Sequence, residues 1–156
     1  MDWDSYINGF KKYLILEKSL SGNSIEAYIS DVEKLAQFLE LTNQHKSAIH
    51  VTLEDVQQFL KWITELGISS RSQSRIISGL KSFFKFLLLE NAIKTSPVSL
   101  LESPKIGIKL PQVLSISEIH NIISQIDLSK PEGQRNKSII ETLYGCGLRV
   151  SELCNL

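Results

Sequence analysis

The chain has two cysteines, no net charge at neutral pH, and no apolar run approaching the ~20 residues that cross a bilayer. Two cysteines are too few for a disulfide framework and fit reduced thiols. No His or acidic cluster near Cys146 or Cys154 completes a metal site, so no metal is expected. The amino terminus, Met1-Asp2-Trp3-Asp4, is acidic and lacks the positive flank and apolar core of a signal peptide. The expected location is therefore the cytoplasm, with no membrane partner. Convincing period-two alternation is missing, as are internal repeats and low-complexity tracts. There is no Ser-His-Asp set and no glycine-rich loop to cradle a phosphate. His45, His50 and His120 have no matched ligand or nucleophile nearby and read as surface or boundary residues.

What is present is helical periodicity. A first helix is expected from Asp4 to about Lys18, with Trp3, Ile7, Phe10 and Leu14 on one stripe. A second opens near Asn23, read as its cap, with Glu26 three residues on. Its apolar face is Ile25, Tyr28, Ile29, Val32, Leu35, Ala36 and Leu39, and Ser24, Ala27, Ser30, Asp31 and Lys34 form its exposed side. After a polar loop from Thr42 to His50, a third helix begins at Thr52 and stops at Gly67, a left-handed position. The fourth is expected from Ser70, paired with Gln73 in a capping box, to about Glu90. Short connections and apolar stripes suit a compact four-helix bundle.

Composition then changes. Pro97, Pro104, Gly107 and Pro111 fall between Thr95 and Ser115, a density that breaks helices and marks an extended connector. The expected division is a helical domain over residues 1–94, a linker over 95–114, and the start of a second domain over 115–156. In that last piece Ser115 and Glu118 form a capping box for a helix carrying Ile119, Ile122, Ile123 and Ile126. Another helix runs from about Gln134 to Tyr144, with Tyr144 read as core. Some forty residues are few for an independent core.

The clearest charge signal lies in the fourth helix. Between Glu65 and Glu90 there is no acidic residue, while Arg71, Arg75, Lys81 and Lys85 are all cationic. With Ser74, Ser78 and Ser82 they follow three- and four-residue spacing along one side, with Ser72 a further candidate contact, and Ile76, Leu80, Phe83, Phe84 and Leu87 take the other. Lysine and arginine neutralise phosphates, serine hydroxyls reach phosphates or base edges, and such a helix fits a major groove. A solvated amphipathic helix that happens to be basic would read the same way, except that it would be expected to mix signs at four-residue spacing. Ser24 and Lys34 on the second helix add candidate contacts, and Lys105 and Lys109 could touch a backbone from the connector. Charge reversal at Arg71 and Arg75 is expected to abolish binding without unfolding the bundle. Beyond the turn at Gly145-Cys146-Gly147, Arg149 stands at the mouth of a new helix with Ser151 and Glu152, where its planar fork could clamp a phosphate.

These segments, in this order, resemble the amino-terminal half of a Xer-type tyrosine recombinase of the phage integrase family. Ser21-Gly-Asn-Ser24 with Ala27-Tyr28 and Asp31 is similar to the family's second-helix signature. Ser70-Arg71-Ser72-Gln73-Ser74-Arg75 through Phe83-Phe84 is similar to its fourth. Ser96-Pro97, Pro104-Lys105 and Leu110-Pro111 resemble its linker, and Leu114-Ser115 with Glu118 the opening of its catalytic domain. Tyr144-Gly-Cys-Gly-Leu-Arg149-Val-Ser-Glu152-Leu resembles the segment bearing its first catalytic arginine. The resemblance implies a mainly α architecture: a SAM-like core-binding domain joined by a proline-containing linker to the first helices of an incomplete α+β catalytic domain. It also implies site-specific recombination of double-stranded DNA through a 3′-phosphotyrosyl intermediate, as in chromosome dimer resolution or element integration. A homo- or hetero-tetramer of protomers would act on DNA, without a cofactor, and Arg149 would stabilise the charged phosphorane. The family's lysine, His-x-x-Arg pair and tyrosine have no counterpart here, so the 156-residue chain is expected to be catalytically incomplete. A non-enzymatic helical DNA-binding regulator or decoy is the alternative, and a helical protein-interaction module a third.

Overall fold

The computed structural model of the chain describes residues 3–42, 45–104, 107 and 112–156. It divides into two units, Met1–Gly107 and Ile108–Leu156. Among the described residues all regular structure is helical. Lys105, Lys109, Leu110 and Pro111, which carried part of the linker reading, lie outside the described residues.

The first unit holds α1 (Trp3–Leu16), α2 (Gly22–Leu41), a 3-10 turn (Ala48–His50), α3 (Leu53–Glu65) and α4 (Ser70–Leu89). Both α3 and α4 start at a residue whose side chain caps the helix. Thr52 caps α3, its hydroxyl accepting from the Asp55 amide at 3.3 Å while the Asp55 carboxylate accepts from the Thr52 amide at 2.8 Å. Gly67 follows α3 at φ 77°, a conformation that L side chains rarely adopt.

Two cap assignments are corrected. Ser21, not Asn23, stands at the N-cap of α2. Asn23 already has helical backbone there, so its side chain has lost the geometry needed to cap. Ser69, not Ser70, caps α4 by accepting from the Ser72 amide at 3.3 Å, and Gln73 instead donates to the Ile68 carbonyl at 2.7 Å. Adjacent serines made the choice ambiguous by one residue, and the extended backbone of Ser69 decides it.

The core sits where the four helices converge. Phe10 and Leu14 of α1, Val32 and Leu35 of α2, Phe59 and Ile63 of α3, and Leu80, Phe83, Phe84 and Leu87 of α4 are all buried. Aromatic rings tie α1 to α4: Phe10 meets Phe83 edge-on at 5.3 Å, and Tyr13 lies 5.5 Å from Phe86. The Trp3 indole donates to the Lys46 carbonyl at 2.9 Å. Lys46 in turn donates to Asp55 at 2.6 Å, joining the loop to α3. Burial alone would raise the Asp55 carboxyl, but hydrogen bonds from Lys46 and Thr52 outweigh it and hold the group below its ordinary value.

The second unit contains α5 (Ile116–Ser124), α6 (Pro131–Cys146) and α7 (Val150–Leu153). The expected Ser115–Glu118 capping box is present, with the Ser115 amide donating to Glu118 at 2.7 Å. α6 begins at Pro131, which suits a first helical turn, and continues through Gly145 to end at Gly147, φ 64°. The reading of Tyr144 as core is corrected: it is 49% exposed. Its α6 register is as expected, but the described residues of this unit bury only Gly133, so there is no core for the ring to enter. Ile116, Ile122, Ile139 and Val150 are likewise exposed.

Two stability measurements check this description. Gly79 of α4 packs so closely on Asp31 of α2 that an added Cβ would lie 3.1 Å from the carboxylate oxygen and 3.3 Å from the Asp31 Cβ. Gly79→Val should therefore destabilise the bundle by roughly 1–3 kcal/mol in urea unfolding. Asp55 makes the second. A depressed carboxyl contributes stability that is full above the unfolded value of 3.8 and is lost as pH falls through the folded value. The gap in thermal midpoint between the parent chain and Asp55→Asn should be widest near neutrality and should narrow as the pH is taken below 3.8.

Candidate nucleic-acid interface

α4 has two chemically distinct sides because its apolar residues recur at helical spacing and its cations fill the positions between them. Ile76, Leu80, Phe83, Phe84 and Leu87 are buried, as expected, and Ile77 and Phe86 join them. Arg71, Ser78, Lys81 and Lys85 are exposed, while Ser72 and Ser74 are half-buried. Among the described residues no ion pair involves Arg71, Lys81 or Lys85. The serines are more committed than their spacing suggested. The Ser78 hydroxyl donates to the Ser74 carbonyl at 3.0 Å, and Ser72 accepts from Ser69 at 3.1 Å. On α2, the Ser24 hydroxyl lies 3.0 Å from that of Ser21.

Arg75 occupies a different environment from the other three cations. It sits at the edge of α4 that faces α2. Its Nη1 donates to Asp31 Oδ2 at 2.5 Å and to the Ala27 carbonyl at 3.2 Å. The Arg75 side chain is 42% exposed, whereas that of Asp31 is fully buried. Asp31 Oδ1 accepts no hydrogen bond and lies 3.6 Å from Lys34 Nζ. Burial pushes the Asp31 carboxyl up from its ordinary value, against the opposing pull of Arg75 and Lys34.

The placement of Asp31 on the exposed side of the second helix is thus corrected. α4 covers that carboxylate because Gly79, one turn beyond Arg75, presents no side chain and lets the helices approach. Arg75 is corrected with it. It is not an unengaged cation beside Arg71, Lys81 and Lys85, and Lys34 is likewise drawn to Asp31. One signal in the sequence pointed this way: a glycine inside a helix, which costs about 1 kcal/mol relative to alanine and needs a packing reason.

The second unit places Arg149 at the N-cap of α7. Its backbone amide donates to Glu152 Oε2 at 2.7 Å, and its guanidinium reaches Glu152 Oε1 at 3.0 Å. The Arg149 side chain is 82% exposed. Cys146 and Cys154 are exposed thiols, and no cluster that could hold a metal occurs among the described residues. No helix is long and apolar enough to cross a membrane among those residues.

The two arginines of α4 should separate in mutagenesis. Arg75→Glu sets a second carboxylate against buried Asp31 and should cost roughly 2–4 kcal/mol in urea unfolding, reduced from the fully buried case by the exposure of Arg75. Arg71→Glu should change stability by no more than about 0.5 kcal/mol. This divides the two-site charge reversal, which cannot leave the bundle untouched if Arg75 is included.

Residues 7–91 match the family model described as the phage integrase N-terminal SAM-like domain. The chain is 40% identical to the tyrosine recombinase XerC of Bacillus licheniformis over 152 residues, covering 97% of this chain and 50% of the relative. It is 38% identical to the tyrosine recombinase XerD of Staphylococcus saprophyticus over 156 residues, covering 98% of this chain and 52% of the relative. Among solved structures it is similar to a XerA recombinase, with a TM-score of 0.52 and 28% identity over 99% of this chain and 50% of that one. The chain spans about half the length of these relatives. With one family model spanning more than half of its residues, the chain belongs to the phage integrase family by its N-terminal SAM-like domain, and it is similar to XerC and XerD tyrosine recombinases along about half of their length.

Proposed function

We propose that this chain supplies duplex DNA binding to a tyrosine recombinase that carries out site-specific recombination. The observation that carries the reading is the solvent side of α4, where Arg71, Lys81 and Lys85 stand exposed and unpaired along a helix without acidic residues. A protein partner without acidic groups on its docking face would leave three unmatched charges at the interface, which is costly. A duplex offers a line of phosphates and releases counterions as each cation docks. Residues 1–94 are the core-binding domain in this reading, 95–114 the linker, and 115–156 the start of the catalytic domain. Ser24 and Lys34 flank the α4 contacts with Ser72, Ser74, Arg75 and Ser78. The likeness to recombinases called XerC and XerD supports the same assignment.

Arg149 is assigned as the first catalytic arginine. In the reaction a tyrosine hydroxyl attacks the scissile phosphorus, the P–O bond to the 5′ oxygen breaks, and a 3′-phosphotyrosyl link conserves the phosphodiester. Negative charge builds on the non-bridging oxygens in the pentacoordinate state, and a guanidinium placed there stabilises the developing charge. Glu152 is the present partner of Arg149, and a surface pair of this kind is worth about 0–1 kcal/mol. A phosphate can therefore displace it at little cost. Strand exchange would take place in a homo- or hetero-tetramer of recombinase protomers on two DNA sites.

One experiment with two arms tests the assignment. The triple variant Arg71→Glu, Lys81→Glu, Lys85→Glu should keep the parent's thermal midpoint and lose at least about a hundredfold in affinity for duplex. Its log-affinity against log-salt slope should become shallower by roughly 2–3. In the whole protein, Arg149→Ala should retain duplex affinity and lose covalent capture on a nicked site. Unchanged affinity in the triple variant would end the α4 reading, and undiminished covalent capture in Arg149→Ala would end the catalytic one.

A further inference from the structure

The Asp31–Arg75 pair carries an inference that rests on the duplex-binding reading and goes beyond it. Both Arg75 hydrogen bonds among the described residues leave from a single nitrogen, Nη1, toward Asp31 and the Ala27 carbonyl. The N–H groups of Nε and Nη2 make none. The guanidinium is planar, so fixing one nitrogen against two acceptors on α2 restricts the orientation of the whole fork. At 42% exposure that fork still reaches solvent at the α2–α4 edge.

Charge decides what such a fork can read. Arg71, Lys81 and Lys85 keep a full unpaired charge, which suits phosphates, because a phosphate attracts a cation from many orientations. The charge of Arg75 is partly countered by a fully buried carboxylate that it shares with Lys34. Its pull on a phosphate is correspondingly weak. A base edge carries no net charge, and it rewards donors held in one plane at fixed spacing. We propose that Asp31 is a positioning residue that orients Arg75 to read the paired O6 and N7 acceptors of a guanine in the major groove, leaving the phosphates to Arg71, Lys81 and Lys85. Lys34, 3.6 Å from the second Asp31 oxygen, keeps the buried carboxylate electrostatically matched while Arg75 faces the groove.

The test selects bound duplexes from a randomised pool with the 156-residue chain and with Asp31→Asn and Arg75→Lys variants, at several salt concentrations. The parent should enrich a sequence with guanine at a defined position. Asp31→Asn retains the side-chain shape and the Arg75 cation but removes the charge that fixes the fork. Arg75→Lys retains a cation toward Asp31 but has no planar fork. Both should lose discrimination at that one position by about tenfold, within the range a bidentate base contact supplies. Base preference at every other position should be retained in both variants, and the salt slope of Arg75→Lys should match the parent's. A general loss of folding would move every position alike, so loss at one position is the signature of positioning. Should Asp31→Asn fail to show a cooperative thermal transition, Arg75→Lys decides alone. Unaltered base preference in the folded variants overturns the inference, as does a parent that binds duplex with no preference at any position. Uniform weakening in Arg75→Lys, or a slope shallower by about one in Arg75→Ala, would place Arg75 on a phosphate and also overturn it. If the parent retains no duplex from the pool at low salt, the duplex-binding reading itself falls.

Discussion

The approach of α2 to α4 depends on one buried carboxylate. Asp31 has no accessible surface, and it tolerates that position because Arg75 and Lys34 meet it from two sides while Gly79 gives it room. An isolated ionised carboxylate in an apolar interior would cost several kcal/mol, so these neighbours are conditions of the fold. Gly79 is equally bound to the arrangement. A side chain there would push against Asp31 and separate the two helices between which Arg75 and Asp31 meet. The apolar side of α4, from Ile76 to Leu87, then has only one face left to present to solvent, and on that face stand Arg71, Lys81 and Lys85. A polar contact inside the bundle thus sets the orientation of the cations outside it.

The same contact divides labour among cations that look alike in composition. Four positive residues on one helix suggest a uniform electrostatic stripe. One of them is tied to a counter-ion from the neighbouring helix, so its charge is partly satisfied and its geometry constrained. The other three are exposed and make no ion pair among the described residues. Charge without geometry favours phosphate, and geometry without net charge favours a base edge. The proposed duplex interface would need both kinds of side chain, and the Asp31 contact produces the difference within a single helix.

Much of the bundle is legible in the chain because its signals are local. The stripe Ile76, Leu80, Phe83, Phe84 and Leu87 is set by helical period alone, and each member is buried. Thr52 and Gly67 mark the ends of α3 through side-chain and backbone preferences that do not depend on neighbours. The errors lie where a distant residue decides. Asn23 and Ser21 are both good caps, and only the backbone shows which one stands outside the helix. Asp31 reads as a solvent residue because carboxylates usually are, and nothing within a few positions of it reveals Arg75, forty-four residues away. Tyr144 fails for a related reason: α6 has the expected register, but a helical stripe becomes core only where another apolar surface meets it.

That last point bears on Arg149. The first unit has a packed core, and Arg75 inherits its orientation from a buried partner. In the second, apolar residues such as Ile116, Ile122 and Val150 remain exposed, and Arg149 is restrained by a single carboxylate three residues along its own chain. An i, i+3 pair at the surface contributes at most about 1 kcal/mol, which sets the side chain's preference without fixing it. Preorganised charge stabilisation requires a donor that does not have to reorganise as the transition state forms. Glu152 already restrains the Arg149 backbone through its amide, so the main chain at this position is held more firmly than the guanidinium it carries. The catalytic role proposed for Arg149 therefore calls for contacts beyond Glu152, whereas the orientation of Arg75 is already built into the helical bundle.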